Sequence, residues 1–129
     1  FNSLGIIAEL ASSYFLPRMV GMQKAKEIVY FSKTVPAQEA FELGLINAVV
    51  PHDKLIPFAV EKTLELMPPK GANFAVRQMK QAFHQPFIDI VSKALDKENE
   101  GLRTCFNTGD FFEGIAAMQQ KRDPVFKGS

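Results

Sequence analysis

Cysteine occurs once in the 129 residues, at Cys105. An internal disulfide is therefore excluded, and the lone thiol fits a reducing, intracellular compartment, where it reads as a buried structural residue. No apolar run approaches the ~18 residues that a membrane-spanning helix needs. Neither sign of charge prevails, because 15 Lys and Arg face 14 Asp and Glu for a formal net charge of +1. That balance gives no footing to nucleic acid or to an anionic membrane surface. Histidine is scarce, with only His52 and His84. Neither has a carboxylate or cysteine at metal-ligand spacing, so both read as ordinary loop or helix-boundary residues and no metal is expected. A basic-then-apolar leader is missing, and the carboxyl end, Phe126-Lys127-Gly128-Ser129, is unlike the receptor-read address Ser-Lys-Leu. Position 1 is Phe rather than Met, so an upstream segment is expected.

What is present has ordinary globular composition, 47% hydrophobic and 22% charged, at a length suited to one modest domain with a single core. Most of the chain reads as helix. A short helix over 10–19 is broken near its end by Pro17 and Gly21. Residues 23–31 carry Ala25, Ile28 and Val29 at helical spacing. Pro36 opens a helix whose face is Ala37, Ala40, Phe41 and Leu43, and Gly44 closes it. Asp53 is placed to cap a helix through about Leu66, ended by Pro68-Pro69. A helix over about 71–84 follows, then a long amphipathic one over 87–106 with Ile88, Val91, Ala94, Leu95, Leu102 and Cys105 on its apolar positions. The last helix, 110–121, begins with Asp110 and Glu113 in the spacing of a capping box.

One segment does not fit an all-helical chain. Ile46-Asn47-Ala48-Val49-Val50, stopped by Pro51, has the composition of a strand. An unpaired strand leaves backbone groups unsatisfied, so it needs a partner from outside these residues. The expected fold is mainly α, with about seven helices and one short strand, cut from a longer protein.

The opening stretch, FNSLGIIAELASSYFLPRMVG, holds one acid, Glu9, and no other charged side chain before Arg18. Glu9 has two readings: a helix-start carboxylate favoured by the helix dipole, or a base placed among apolar neighbours. Ser12 and Ser13 have no histidine nearby in sequence and read as small packing residues.

The ordered series Gly5, Glu9, Ser12-Ser13, Leu16-Pro17-Arg18, Val20-Gly21, Pro36-Ala37-Gln38-Glu39-Ala40, Gly44-Leu45-Ile46-Asn47, Val49-Val50-Pro51, Phe106, Asp110, Glu113-Gly114-Ile115 and Lys121-Arg122-x-Pro124-x-Phe126 resembles the enoyl-CoA hydratase/isomerase (crotonase) superfamily. The match covers the whole chain but only the C-terminal portion of the family pattern, an α/β spiral of ββα turns followed by a helical region. The resemblance implies that residues 1–51 are the end of the spiral core with an active-site segment. Residues 52–129 would then be the C-terminal helical, oligomerising region. It also implies an acyl-CoA substrate, no cofactor beyond the coenzyme A the substrate carries, and a homo-oligomer, either a trimer or a pair of trimers. The compartment would be cytoplasmic in a bacterium, peroxisomal or mitochondrial in a eukaryote.

Within the family, hydratases use two carboxylates, one of them four residues before the Gly that matches Gly5. Here that position is Phe1. Peroxisomal-type Δ3,Δ2-enoyl-CoA isomerases have Phe there and a Glu four residues after the Gly, which is Glu9. The resemblance therefore implies that Glu9 carries out a 1,3-proton shift, with the double bond moving from C3 to C2. Phe1 and Leu10 would line the substrate pocket, and Lys121 would reach the CoA phosphates across a subunit interface. The oxyanion donors of the family lie in its upstream half, in a Gly-rich turn that this chain lacks, so these 129 residues alone are expected to be inactive. A hydratase, or a non-catalytic crotonase-like module for oligomerisation or protein binding, is the alternative.

Overall fold

Seven α-helices form in the computed structural model, which describes residues 1–129. They are α1 (Ser12–Val20), α2 (Met22–Tyr30), α3 (Ala37–Glu42), α4 (Leu55–Leu64), α5 (Asn73–His84), α6 (Ile88–Cys105) and α7 (Gly109–Gln120). Short 3-10 turns at Asn2–Leu4, His52–Lys54 and Gln85–Phe87 join them. The helical periodicity of the sequence is thus realised nearly to the residue, and Gly21, Pro36 and Gly44 mark helix ends as expected, whereas Pro17, expected to break the first helix, lies inside α1. Gly21 separates α1 from α2 with φ 80° and ψ 155°, a conformation closed to residues with a Cβ. At the end of α3, Gly44 takes φ 74°, and the amides of Gly44 and Leu45 bond the carbonyls of Phe41 and Ala40 at 3.0 and 2.8 Å. That pairing is a Schellman closure.

The expected strand is absent. Residues 46–47 form a bend and 48–50 have no regular structure, and no backbone amide in them donates to another backbone group. A strand is defined by its ladder, and no residue of the chain pairs in one. Two start signals were also misplaced. Asp53 falls in a 3-10 turn ahead of α4 and makes no side-chain cap. Thr108, not Asp110, caps α7: its hydroxyl accepts from the Phe111 amide at 3.2 Å and donates to the Cys105 carbonyl at 2.7 Å.

Asp110 and Glu113 hold the chain's last residues instead. Asp110 accepts from the amides of Lys127 (2.7 Å) and Gly128 (2.9 Å). Glu113 takes the Arg122 guanidinium in a two-pronged bond (2.5 and 2.9 Å) and the Val125 amide at 2.8 Å. The tail therefore folds back along α7. At the other end of the chain, Asn2 donates to the Tyr30 carbonyl (2.7 Å) and the Ser3 amide donates to the Ser32 hydroxyl (2.9 Å), docking the first turn on the end of α2. Lys33 then ties α2 to α3 through Glu39 (2.7 Å) and Glu27 (3.3 Å), which raises its pKa.

The buried side chains are few and mostly small: Ala8, Ala11, Tyr14, Ala25, Leu102 and Ala117, with one acid, Glu98. They gather where residues 4–11 meet α1, α2, α6 and α7. From 51 to 70 only Phe58 is even half-buried, so α4 stands away from this centre.

Candidate active-site segment

Residues 4–11 run against α6 and α7 through positions where a side chain has been dispensed with. A Cβ on Gly114 of α7 would lie 2.7 Å from the Leu4 backbone, and one on Gly101 of α6 would lie 2.9 Å from the Ile7 side-chain tip. Gly5 itself has φ +65°, and its Cβ would meet the Asp110 backbone at 2.9 Å. The segment is thus laid directly on two helices before it reaches Glu9.

Glu9 follows at once and begins a turn with an unusual backbone. Leu10 and Ala11 both take left-handed conformations, φ 59° and 57°. Each costs a residue bearing a Cβ about 1–2 kcal/mol. Such a pair persists only when its surroundings over-determine it. On one side, the Glu9 carbonyl accepts from the Ser12 amide (3.1 Å) and the Ser12 hydroxyl. On the other, Glu98 reaches across from α6. One of its oxygens accepts from the Ala11 amide at 2.7 Å, and the other from the Ser13 amide at 2.8 Å and the Ser13 hydroxyl. Ala11 occupies the N-cap position of α1 but has no side-chain acceptor, so the cap is delivered from another helix.

The Glu9 carboxylate itself is half-buried and belongs to no ion pair. Its apolar neighbours divide. Ala8 and Ala11 are buried, whereas Leu10 is 81% exposed and points away from the chain's own core. A cleft of about 480 Å³ opens beside the segment, lined by Ile6, Ile7, Ala8, Leu16, Met22 and Val29 among others. Glu9 and Leu10 are not on its wall. Phe1, 37% exposed, accepts through its carbonyl from the Leu4 and Ile6 amides (2.9 and 3.2 Å) at the head of the same segment.

Lys121 lies apart, at the end of α7, exposed and in a left-handed conformation with φ 52°. Its neighbour Arg122 is committed to Glu113, but the Lys121 ammonium belongs to none of the chain's ion pairs. Phe1, Glu9 and Leu10 therefore share one segment, and Lys121 does not join them within this chain. No group of three or more His, Cys, Asp or Glu comes together as a metal site. His84 bonds the Lys80 carbonyl at 2.6 Å within its own helix.

Glu98 was missed from the sequence. The signal existed: Val91, Ala94, Glu98, Leu102 and Cys105 follow one another at helical spacing, which sets a carboxylate in an apolar stripe.

The family model described as enoyl-CoA hydratase/isomerase matches residues 1–129. A crotonyl-CoA hydratase of Syntrophomonas wolfei subsp. wolfei is 35% identical over 123 residues, which are 95% of this chain and 46% of that protein. An enoyl-CoA isomerase/hydratase of Mycosarcoma maydis is 34% identical over 125 residues, 97% of this chain and 45% of that protein. Among solved structures, an enoyl-CoA hydratase from Mycobacterium avium subsp. paratuberculosis superposes with a TM-score of 0.88 at 28% identity, covering 98% of this chain and 51% of its own. The chain thus spans about half the length of the curated relatives it matches.

Proposed function

Because the chain belongs to the enoyl-CoA hydratase/isomerase family, we propose that it is the C-terminal part of an enoyl-CoA isomerase of the peroxisomal type, with Glu9 as its acid–base residue. The observation that carries this reading is a single uncommitted carboxylate, Glu9, on a backbone anchored from both sides, with Phe1 where a hydratase would hold its other acid.

In the proposed reaction the Glu9 carboxylate removes a proton from C2 of a 3-enoyl-CoA. The C–H electron pair moves into conjugation with the thioester, and negative charge collects on its oxygen. The protonated Glu9 then delivers the proton to C4, and the double bond comes to rest between C2 and C3. One carboxylate is enough because the proton is returned rather than exchanged for water. The oxygen's charge is held by amide donors of the upstream half, so residues 1–129 alone have little or no activity. Residues 1–51 complete the spiral core, residues 52–129 form the oligomerising region, and Leu10 and Phe1 face the acyl chain once the upstream half covers them. Lys121, unpaired in its own chain, binds the CoA phosphates of a neighbouring subunit. The coenzyme A of the substrate is the only cofactor the reaction uses.

The test joins this chain to its upstream half and follows conversion of 3-enoyl-CoA to 2-enoyl-CoA. Glu9→Gln is expected to lower kcat by about 10²–10⁴-fold, the usual worth of a general acid–base residue. Full activity in that variant would remove the assignment. A hydratase is favoured by the names of several relatives, and the same assay decides between the two. Accumulation of 3-hydroxyacyl-CoA from 2-enoyl-CoA, at a rate above isomerisation, is the hydratase outcome.

A further inference from the structure

We propose that Glu98 is a positioning residue for catalysis, acting through Glu9 by clamping the left-handed turn that carries it. This inference rests on the reading of Glu9 as the acid–base residue. Glu98 is 2% exposed, the one charged side chain among the buried residues. Burial of a carboxylate is unfavourable unless its oxygens are satisfied, and here three donors meet it, the amides of Ala11 and Ser13 and the Ser13 hydroxyl.

An ordinary cap would not need this arrangement. Helix α1 could be capped locally by a Ser, Thr or Asn at position 11, without burying an acid. The chain instead has Ala11 there, while Ser12 turns its hydroxyl to the Glu9 carbonyl. The acceptor comes from α6, 87 residues away in sequence. Its bonds fall two and four residues after Glu9, on either side of the Ala11–Ser12 peptide.

The same helix face supports the approach to the turn, since Gly101, one turn beyond Glu98, lies under Ile7. Glu9 is thereby fixed relative to α6 from both directions, while its own carboxylate is left free of partners. A base that must reach C2 and then C4 of one substrate needs that placement. An error of about 1 Å in a reacting group can cost on the order of 10²-fold in rate.

The experiment is a double-mutant cycle in the complete enzyme, with kcat and KM for 3-enoyl-CoA measured well below the melting temperature of every variant. Glu98→Gln keeps the shape of the side chain but turns an NH2 group toward one of the two amides, so one arm of the clamp is lost. The expected result is a kcat lowered about 10- to 100-fold, with KM within about threefold and the far-UV circular dichroism unchanged. In a Glu9→Gln background the same substitution should lower kcat by less than about twofold, because a residue acting through Glu9 has nothing left to act on.

A kcat within twofold of the parent, or a loss of equal size in the two backgrounds, overturns the proposal. So does a change confined to KM. If Glu98→Gln does not fold, Glu98→Asp, which keeps the charge and shortens the reach, is put through the same cycle under the same criteria. If Glu9→Gln is itself fully active, the reading of Glu9 fails first and the clamp has no catalytic object. Failure of the clamp alone leaves Glu9→Gln impaired, with Glu98→Gln either as active as the parent or impaired equally in both backgrounds.

Discussion

Gly114 and Gly101 look alike in the sequence, both inside helices of the C-terminal region, yet their surroundings give them different tolerances. A methyl group at Gly114 would press on the Leu4 backbone at 2.7 Å, and backbone cannot move aside without lifting residues 4–11 off α7. Gly114→Ala is expected to lower stability by about 1–3 kcal/mol, the usual cost of overpacking a tight contact. At Gly101 the obstacle is side chain rather than backbone: the Ile7 Cδ1 tip at 2.9 Å, which another rotamer can withdraw, and the Cγ2 methyl at 3.3 Å, which needs to give by only a few tenths of an ångström. Replacing glycine by alanine inside a helix recovers roughly 0.8–1.0 kcal/mol of propensity, so Gly101→Ala is expected to fall within about 1 kcal/mol of the parent. Denaturant unfolding of the two variants checks the order. A Gly114→Ala protein as stable as Gly101→Ala would mean that residues 4–11 are not held against α7 as described. The same contrast shows what one residue type can hide. Gly114 and Glu9 stood out through the family pattern, but the close approach that forbids a side chain at position 114 lies between residues 110 apart in sequence.

Helix α7 and the tail form a unit whose stability depends on pH. The Arg122 guanidinium, and next the Val125 amide, bring the Glu113 carboxyl from its ordinary 4.5 down to about 2. A folded-state pKa below the unfolded one means that the unfolded chain takes up protons first as pH falls. The stabilisation is therefore complete above about pH 4.5 and is lost between there and about pH 2. Amide exchange at Val125, compared between the parent and Glu113→Gln, should differ at pH 5–6 and converge as pH approaches 2. Equal exchange at both pH values would show that the pair does not hold the tail.

Helix periodicity made α2, α5 and α6 readable almost to their ends, because spacing along a helix is a local property. The role of the Asp110/Glu113 pair was not readable in that way. Its spacing matches a capping box, but Thr108 already satisfies the first turn of α7, which frees both acids to bind a tail 9–18 residues further on. Residues 46–50 failed for the complementary reason. Val and Ile supply strand composition, but a strand exists only where a second segment accepts and donates, and none does within this chain. The candidate segment was singled out by the family pattern alone, at Phe1 and Glu9. The support supplied by Glu98 crosses 87 residues and was visible only as a charge out of place on an apolar stripe.

At the scale of the whole molecule, the surface is too large for a protein that stands alone. A compact monomer of 14.4 kDa exposes about 6,800 Å². This chain exposes 9833 Å², with only 8 of 129 residues buried. The excess of roughly 3,000 Å² is several times the ~800 Å² that each partner contributes to a standard interface. It is also apolar where it is most concentrated. On α5, Met79 is 51% and Phe83 is 71% exposed, one turn apart on the face that includes Val76, and on α6 Ile88 and Ile90 are 54% and 48% exposed. Exposed apolar side chains grouped in this way have the character of a contact surface. An upstream half would cover the region around residues 1–51, and further copies of the chain would cover α4–α6. The exposed area does not fix the number of copies; the family resemblance implies a homotrimer or a pair of trimers, which predicts a mass by light scattering of three or six times that of one subunit. The double variant Met79→Asp, Phe83→Asp places charge on the proposed contact and should shift that mass toward smaller species, because unpaired charge at the centre of an apolar interface has nothing to replace its water. A stable monomer of the unsubstituted complete protein would overturn the assembly. It would also leave Lys121, at the end of α7, with no neighbouring subunit's coenzyme A to bind.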